Sequence, residues 1–293
     1  MSLFHKAWFG ADGVIPPAEL RTPAEVAVWE VSRFFHERRE SVCLQKAALP
    51  QDAYEIVHER DNYIIRGEEA GLLYGTYALI RAIRTGNRIP EGFCKPRFTA
   101  RMLNAWDNMD GSVERGYAGR SLWFEGGAFS YNPERIRYLG RMLSSVGINV
   151  LCINNVNVNQ PAQELIGSMI PDLARFADLL RPFAIRLMVS IDFFMPLLDG
   201  LSTADPLDLT VIDWWGRRTA EIYTAIPDFY GFLIKADSEN RPGPSAYGRT
   251  HSQGANLLAR ALRPYGGTVI WRAFVYNCKQ DWRDSETDRP RAA

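Results

Sequence analysis

Between residues 101 and 270 short apolar runs alternate with longer amphipathic stretches, and this rhythm restricts the fold more than any other feature of the chain. Five runs read as strands: 101–106, 149–153, 187–189, 231–234 and 268–270. They are short and apolar with little alternation, as strands covered on both faces must be. Four stretches between them repeat at helical spacing. The first opens at Asn132-Pro133 and carries Ile136, Leu139, Leu143 and Val146, and the second carries Leu173, Phe176, Ala177 and Leu180. The third is capped by Asp208 and turns Val211, Trp214, Trp215, Ile222 and Ile226 inward, while the fourth starts in a capping box, Thr250-His-Ser-Gln253. Strands and helices in this order imply a parallel sheet covered by helices.

A doubly wound sheet and a (β/α)8 barrel both satisfy that rhythm, so the strand ends must decide. No G-x-G-x-x-G or G-x-x-x-x-G-K occurs, which argues against a nucleotide-binding sheet. Each strand instead runs into side chains fit for a polar site: Trp106 and Asp107, Asn154 and Asn155, Asp192, Lys235 with Asp237 and Glu239, and Arg272. Barrel enzymes build their sites from the C-terminal ends of many strands. The fold expected is α/β, an incomplete (β/α)8 TIM barrel of about five strands over residues 98–293, truncated because a closed barrel needs eight. A small α/β domain is expected before it, over residues 1–97. Its signals are strands at Tyr54–Val57 and Tyr63–Ile65, a helix through Leu73, Tyr77, Ile80 and Ile83, and a Pro/Gly-rich boundary at 88–96. Residues 1–45 show a helix start at Thr22-Pro23 and are otherwise unassigned.

Composition narrows the function. Thirty-four basic residues balance thirty-four acidic ones, so no overall field draws the chain to nucleic acid or to an anionic membrane, and neither partner is expected. The four cysteines form no C-x-x-C pair and the four histidines no H-E-x-x-H, so no metal and no cofactor is expected. The N-terminus lacks a charged segment followed by an apolar one, and no run approaches the roughly 18 apolar residues of a membrane span. A cytoplasmic protein with reduced thiols is the expectation.

The residues that can carry chemistry cluster in 230–244, where an apolar strand breaks into Lys235, Asp237 and Glu239 and then into Pro242-Gly-Pro244. A lone Glu in a loop is most often a solvated carboxylate; at the mouth of a barrel strand Glu239 is also a candidate proton donor. An extended backbone would aim Lys235, Asp237 and Glu239 to one side. Lys235 then either forms a structural ion pair with one of those acids or, with Arg272 on the next strand, holds an anionic substrate group. Trp106 has polar, turn-forming neighbours, which suits a ring that walls a sugar pocket. Asn154, Asn155, Asn157 and Asn159 offer amides both for tying down a loop and for sugar hydroxyls. Trp214-Trp215 reads as packing on the sheet, and Cys278 has no base beside it.

Six stretches together resemble the α-glucuronidases of glycoside hydrolase family 67. They are 103–119 (LNAWDNMDGSVERGYAG), Gly147-Ile-Asn149 with 154–159 (NNVNVN), 203–208 (TADPLD), 235–239 (KADSE) with Pro242-Gly-Pro244, 247–251 (YGRTH), and 271–284 (WRAFVYNCKQDWRD). The resemblance covers residues 50 to 293. It implies Glu239 as the general acid, Lys235 and Arg272 at the uronate carboxylate, and Trp106 in the sugar pocket. Asn155 joins the substrate-binding residues, and Val158 falls near the 4-O-methyl group. The implied reaction is inverting hydrolysis of the α-1,2 bond between (4-O-methyl)glucuronic acid and the terminal xylose of a glucuronoxylan oligosaccharide. The family's base, an Asp and Glu pair, is expected beyond Ala293, so these residues alone are expected to be inactive, and a full-length member is expected to be a homodimer. A non-catalytic carbohydrate-binding role is the alternative. A third reading is a retaining enzyme with Asp192 or Asp237 as nucleophile about 5 Å from the acid.

Overall fold

In a computed structural model of the chain, residues 13–155, 163–237 and 241–273 are described. They form two compact units, each discontinuous in sequence.

The first unit comprises residues up to 103 together with 131–150 and 177–186. Helix α1 (Pro23–Phe35) starts as its sequence dictates: Thr22 Oγ1 accepts the Glu25 N–H at 3.2 Å, and the Glu25 carboxylate accepts the Thr22 N–H at 3.2 Å. A four-stranded sheet follows, built from β1 (Ser41–Lys46), β2 (Tyr54–Glu59), β3 (Asn62–Gly67) and β4 (Gly92–Cys94) in the order β1-β3-β2-β4. β1 runs parallel to β3, and β2 is antiparallel to both β3 and β4. Helix α2 (Glu69–Thr85) packs against this sheet through Gly71 and Gly75. A Cβ on Gly71 would stand 2.1 Å from the Ala53 carbonyl oxygen and one on Gly75 2.6 Å from Ile65 Cγ2, so only glycine permits this approach.

Helix α3 (Pro133–Ser145) also belongs to this unit, its first N–H groups capped by Asn132. Ile136, Leu139 and Leu143 are buried as their spacing requires. Val146 does not continue that face: it lies one residue past the helix end and is 44% exposed. What anchors α3 is polar. Arg137 donates to the carbonyls of Pro16, Pro17 and Leu20, and Arg141 forms a two-point ion pair with Glu30 of α1 at 2.5 and 3.0 Å.

The second unit comprises 104–130, 151–176 and the residues from 187 onward. The strands that complete the chain are β5 (Met102–Asn104), a small hairpin of β6 (Phe124–Glu125) and β7 (Ala128–Phe129), β8 (Val150–Ile153), β9 (Arg186–Asp192), β10 (Gly231–Ala236) and β11 (Thr268–Ala273). Apart from the hairpin they form one curled parallel sheet, half of a barrel, in the order β11-β10-β9-β8-β5. The order follows the sequence, as successive right-handed crossovers around a barrel require. The remaining helices are α4 (Ile170–Leu180), the short α5 (Met195–Leu198), α6 (Leu209–Ala225) and α7 (His251–Leu262).

Burial explains why the apolar runs are continuous. All four residues of β8 and all six of β10 are buried, Lys235 included. Trp215 of α6 meets Phe232 of β10 edge-on at 6.0 Å between ring centroids, so this tryptophan is core, as its spacing indicates. Gly231 opens β10 at φ +136°, where a Cβ would lie 1.8 Å from the Thr268 carbonyl oxygen; glycine there lets β10 and β11 pair from their first residue. Among the described residues no helix is long and apolar enough to cross a membrane.

Candidate active site

Parallel register brings charge together at one end of the half-barrel. Lys235, next to last in β10, is the register partner of Asp192, which ends β9, and of Arg272 on β11. In-register residues of neighbouring strands project to the same face, so the order across the sheet is acid, lysine, arginine. Lys235 is only 1% exposed. Lysines are almost never that buried without charged company, and two charged neighbours are supplied by the strands on either side.

Asp192 also receives Arg241: Nη1 donates to Oδ2 at 2.5 Å, and the guanidinium lies 5.7 Å from the centre of the Phe194 ring. Asp192 is thus held by an ion pair inside the protein. Arg272 meets Trp106, two residues past the end of β5 at the far edge of the sheet, its Cζ 5.8 Å from the ring centroid. That is cation–π range, and it brings together two residues 166 positions apart that the sequence separately marked for the site.

The loop after β5 is a closed structure rather than a loose one. The Glu114 N–H donates to the Trp106 carbonyl at 2.8 Å, and Asn108 Nδ2 donates to Ser112 Oγ at 2.8 Å and to the Glu114 carbonyl at 2.7 Å. Asn155, at the end of β8, joins it: its N–H donates to the Asp107 carbonyl at 2.8 Å and its Nδ2 to the Glu114 carbonyl at 3.0 Å. Asn154, in the left-handed region at φ +71°, donates Nδ2 to the Ser190 carbonyl of β9 at 2.8 Å. These two amides therefore tie strand ends to backbone. The Asn154 Oδ1 is buried and has no hydrogen-bond partner among the described residues. Burial pushes the Asp107 carboxyl above its usual range, against hydrogen bonds from Ser121 and the Leu122 N–H that pull it down.

On the other side of the site the extended backbone ends at Ala236. Asp237 has φ +50°, so the alternation that would have aimed its side chain with Lys235 no longer applies. Its carboxylate turns to the next turn, accepting the Ser245 N–H at 3.2 Å and the Ser245 hydroxyl. Gly243 makes this possible: a Cβ there would stand 2.5 Å from the Asp237 nitrogen and 2.6 Å from its carboxyl carbon. His251, the first residue of α7, adds a further contact. Its Nδ1 accepts from Trp271 Nε1 at 3.1 Å, while Nε2 faces Asp237 Oδ2 at 3.9 Å.

Arg241 and His251 had no role in the reading from sequence. A buried acid at a strand end was the available signal for the first, since it demands a cation; the second had only its place in a quoted motif. Glu239 and Val158 lie outside the described residues, as do Asn157, Asn159 and Cys278. No group of three or more His, Cys, Asp or Glu side chains among the described residues could hold a metal ion.

Residues 83–293 match the family described as glycosyl hydrolase family 67 middle domain. The chain belongs to glycosyl hydrolase family 67. Among curated relatives, the family 67 chain is 42% identical over 263 residues to a probable alpha-glucuronidase A of Aspergillus fumigatus, covering 88% of this chain and 31% of that protein. It is 43% identical over 248 residues to the alpha-glucuronidase A of Aspergillus tubingensis, covering 84% and 29%. The family 67 chain therefore spans about a third of the length of the relatives it matches. Solved structures share its fold at low identity. A GH20 β-N-acetylhexosaminidase from Streptomyces coelicolor A3(2) superposes with a TM-score of 0.56 at 12% identity, over 96% of this chain and 67% of that one. A GH138 enzyme targeting pectin rhamnogalacturonan II gives 0.55 at 15% identity, over 89% and 35%.

Proposed function

We propose that the family 67 chain carries the proton donor and the uronate anchors of an α-glucuronidase. The reaction is hydrolysis, with inversion, of the α-1,2 bond that joins (4-O-methyl)glucuronic acid to the terminal xylose of a glucuronoxylan oligosaccharide. The observation that carries this reading is the pairing of Lys235 with Arg272 on adjacent strand ends, with the Arg272 guanidinium against the Trp106 ring. Two cations beside an aromatic wall suit a sugar whose sixth carbon is a carboxylate. The names of the curated relatives support the same choice of substrate.

In this reading Lys235 and Arg272 hold the carboxylate, Trp106 lies along the ring, and Val158 stands near the 4-O-methyl group. Glu239 gives its proton to the glycosidic oxygen as the bond to the anomeric carbon breaks. Water adds to that carbon from the opposite face and loses its proton to a base. In an inverting enzyme the acid and base stand about 6.5–9.5 Å apart, which requires them to come from different strands. The base is assigned to carboxylates outside these residues. Asp237 is a poor candidate for a nucleophile, because both of its oxygens already accept from Ser245, and Asp192 is held at Oδ2 by Arg241.

Calorimetry of the 293-residue chain with an aldouronic oligosaccharide and with the matching neutral xylo-oligosaccharide tests the proposal. The charged sugar should bind and the neutral one should bind at least tenfold more weakly, and Lys235→Ala or Arg272→Ala should abolish the difference. Equal binding of the two sugars would refute the carboxylate anchors. Release of glucuronic acid by this chain alone would place the base within it, and binding without release would fit the division of labour proposed.

A further inference from the structure

A cavity of about 230 Å³ lies within the first unit, between α2, the β4 segment and the C-terminal end of α3. Its lining mixes aromatic and apolar side chains with charged ones, and the charges are unequal. Arg81, Lys95 and Arg101 line it, against the single carboxylate of Asp52.

Arg101 and Asp52 are matched with each other. Arg101 Nη2 donates to Asp52 Oδ2 at 2.8 Å, its Nη1 donates to the Phe98 carbonyl, and its Nε donates to the Gly147 carbonyl. Asn149 Nδ2 adds a second donor to Asp52 Oδ2 at 2.9 Å. That network leaves no free negative charge for the other two cations. Arg81 is half-buried on α2 and donates from Nη1 to the Ser145 carbonyl at the end of α3. A guanidinium has five N–H groups, and no carboxylate lies in ion-pair range of Arg81 among the described residues. The same holds for Lys95, which is exposed.

The lining also includes the hydroxyl-bearing residues Tyr54, Tyr74, Tyr77, Ser144 and Ser145. Ser144 is fully buried, and its Oγ has no hydrogen-bond partner among the described residues. Tyr54 packs over Gly75, where a Cβ would come within 3.2 Å of the tyrosine's Cβ and Cγ. Burial, with Cys94 beside it, pushes the Tyr54 phenol up to about 12. A half-buried guanidinium with no carboxylate in ion-pair range among the described residues, lining the same cavity as a buried hydroxyl without a partner, suits an anionic guest.

We propose that Arg81, Lys95, Tyr54 and Ser144 form a binding site for a small oxyanion, separate from the strand-end site. The volume limits the guest, since sites for drug-sized molecules run to roughly 300–1,000 Å³. Inorganic phosphate and a one-ring sugar acid share the required chemistry. The proposal stands whether or not the glycosidase reading does.

Calorimetric titration of the 293-residue chain at constant ionic strength, with sodium phosphate, with D-glucuronate and with neutral D-glucose, decides it. At least one anion should bind and glucose should not register at this site. Arg81→Gln should weaken anion binding about tenfold or more, and Lys95→Ala, at an exposed position that folding does not need, should weaken it several-fold. Response to phosphate alone identifies the guest as a free inorganic oxyanion, response to glucuronate alone as a sugar acid, and either supports the site. Absence of anion binding, or binding that neither substitution alters, overturns it.

Discussion

Glu30→Ala tests how the first unit is held together. Arg141 is 1% exposed and Glu30 2%. Arg141 Nε and Nη2 donate to the two carboxylate oxygens, Nη1 donates to the Val14 carbonyl at 3.2 Å, and the guanidinium lies 5.3 Å from the centre of the Trp29 ring. Arg33 Nη1 stands 3.6 Å from the same Glu30 carboxylate. Removing Glu30 leaves a buried guanidinium with no counter-charge from that residue and a second cation close by. Loss of one partner of such a pair costs about 3–5 kcal/mol, a large part of the roughly 5–15 kcal/mol that holds a domain folded. The matching fall in Tm is on the order of 10 °C. Urea unfolding followed by circular dichroism, for wild type, Glu30→Ala, Arg141→Met and the Glu30→Leu/Arg141→Met double variant, measures it. The double variant should recover most of the loss, because apolar replacement of both partners removes the charge along with its need for a partner. A cost below about 1 kcal/mol for Glu30→Ala would mean the pair behaves as a surface ion pair, and the account of burial would fail.

Other substitutions probe the site and its supports. Gly243→Ala drives a Cβ into Asp237, so it should displace the turn after β10 and weaken binding of an aldouronic sugar several-fold while the far-ultraviolet spectrum is unchanged; wild-type affinity would show that the turn is not needed. Asp107 has a folded pKa raised by burial, so its ionisation costs stability above that pKa and the cost disappears as pH falls below its unfolded value near 3.9. Asp107→Asn should therefore be neutral or stabilising in urea at pH 7, with the difference shrinking towards pH 4; a loss above about 1 kcal/mol at pH 7 would show that the hydrogen bonds decide instead. Burial pushes the Cys152 thiol up to about 12, with Ser190 Oγ 3.3 Å away, whereas Cys43 is exposed. Alkylation at pH 8 read by peptide mass spectrometry should label Cys43 in minutes and spare Cys152 until urea is added; early labelling of Cys152 would contradict a closed core around β8.

The parts of the fold that could be read from the sequence are those where one residue's fate depends on near neighbours. The central strands of the half-barrel are buried on both faces, so β8 and the middles of β9 and β10 appear as short apolar runs, and Thr22, Asp208 and Thr250 sit at the helix starts that their side chains cap. β1 and β4 were not recognised. β1 is at the edge of its sheet with mostly exposed residues, and β4 has three residues inside a Pro/Gly-rich passage that looks like a linker. At the site, Lys235 and Arg272 could be placed together because successive parallel strands bring their C-terminal ends side by side. The direction of Asp237 could not, because a single positive φ cancels the alternation that parity assumes. The partners Arg241–Asp192 and Arg141–Glu30 are 49 and 111 residues apart, and nothing local selects either.

The first unit returns to the chain twice, taking up 131–150 and 177–186 after its sheet is complete. Modules that evolution trades between proteins are contiguous, so that one insertion or deletion moves the whole piece. This unit cannot be moved that way. A cut at the Pro/Gly-rich passage would leave α3 behind, with Arg141 stripped of Glu30 and Arg137 of the Pro16, Pro17 and Leu20 carbonyls. The strands that carry Lys235 and Arg272 are thus inherited together with a unit whose own parts are threaded between earlier strands of their sheet, 131–150 leading into β8 and 177–186 into β9.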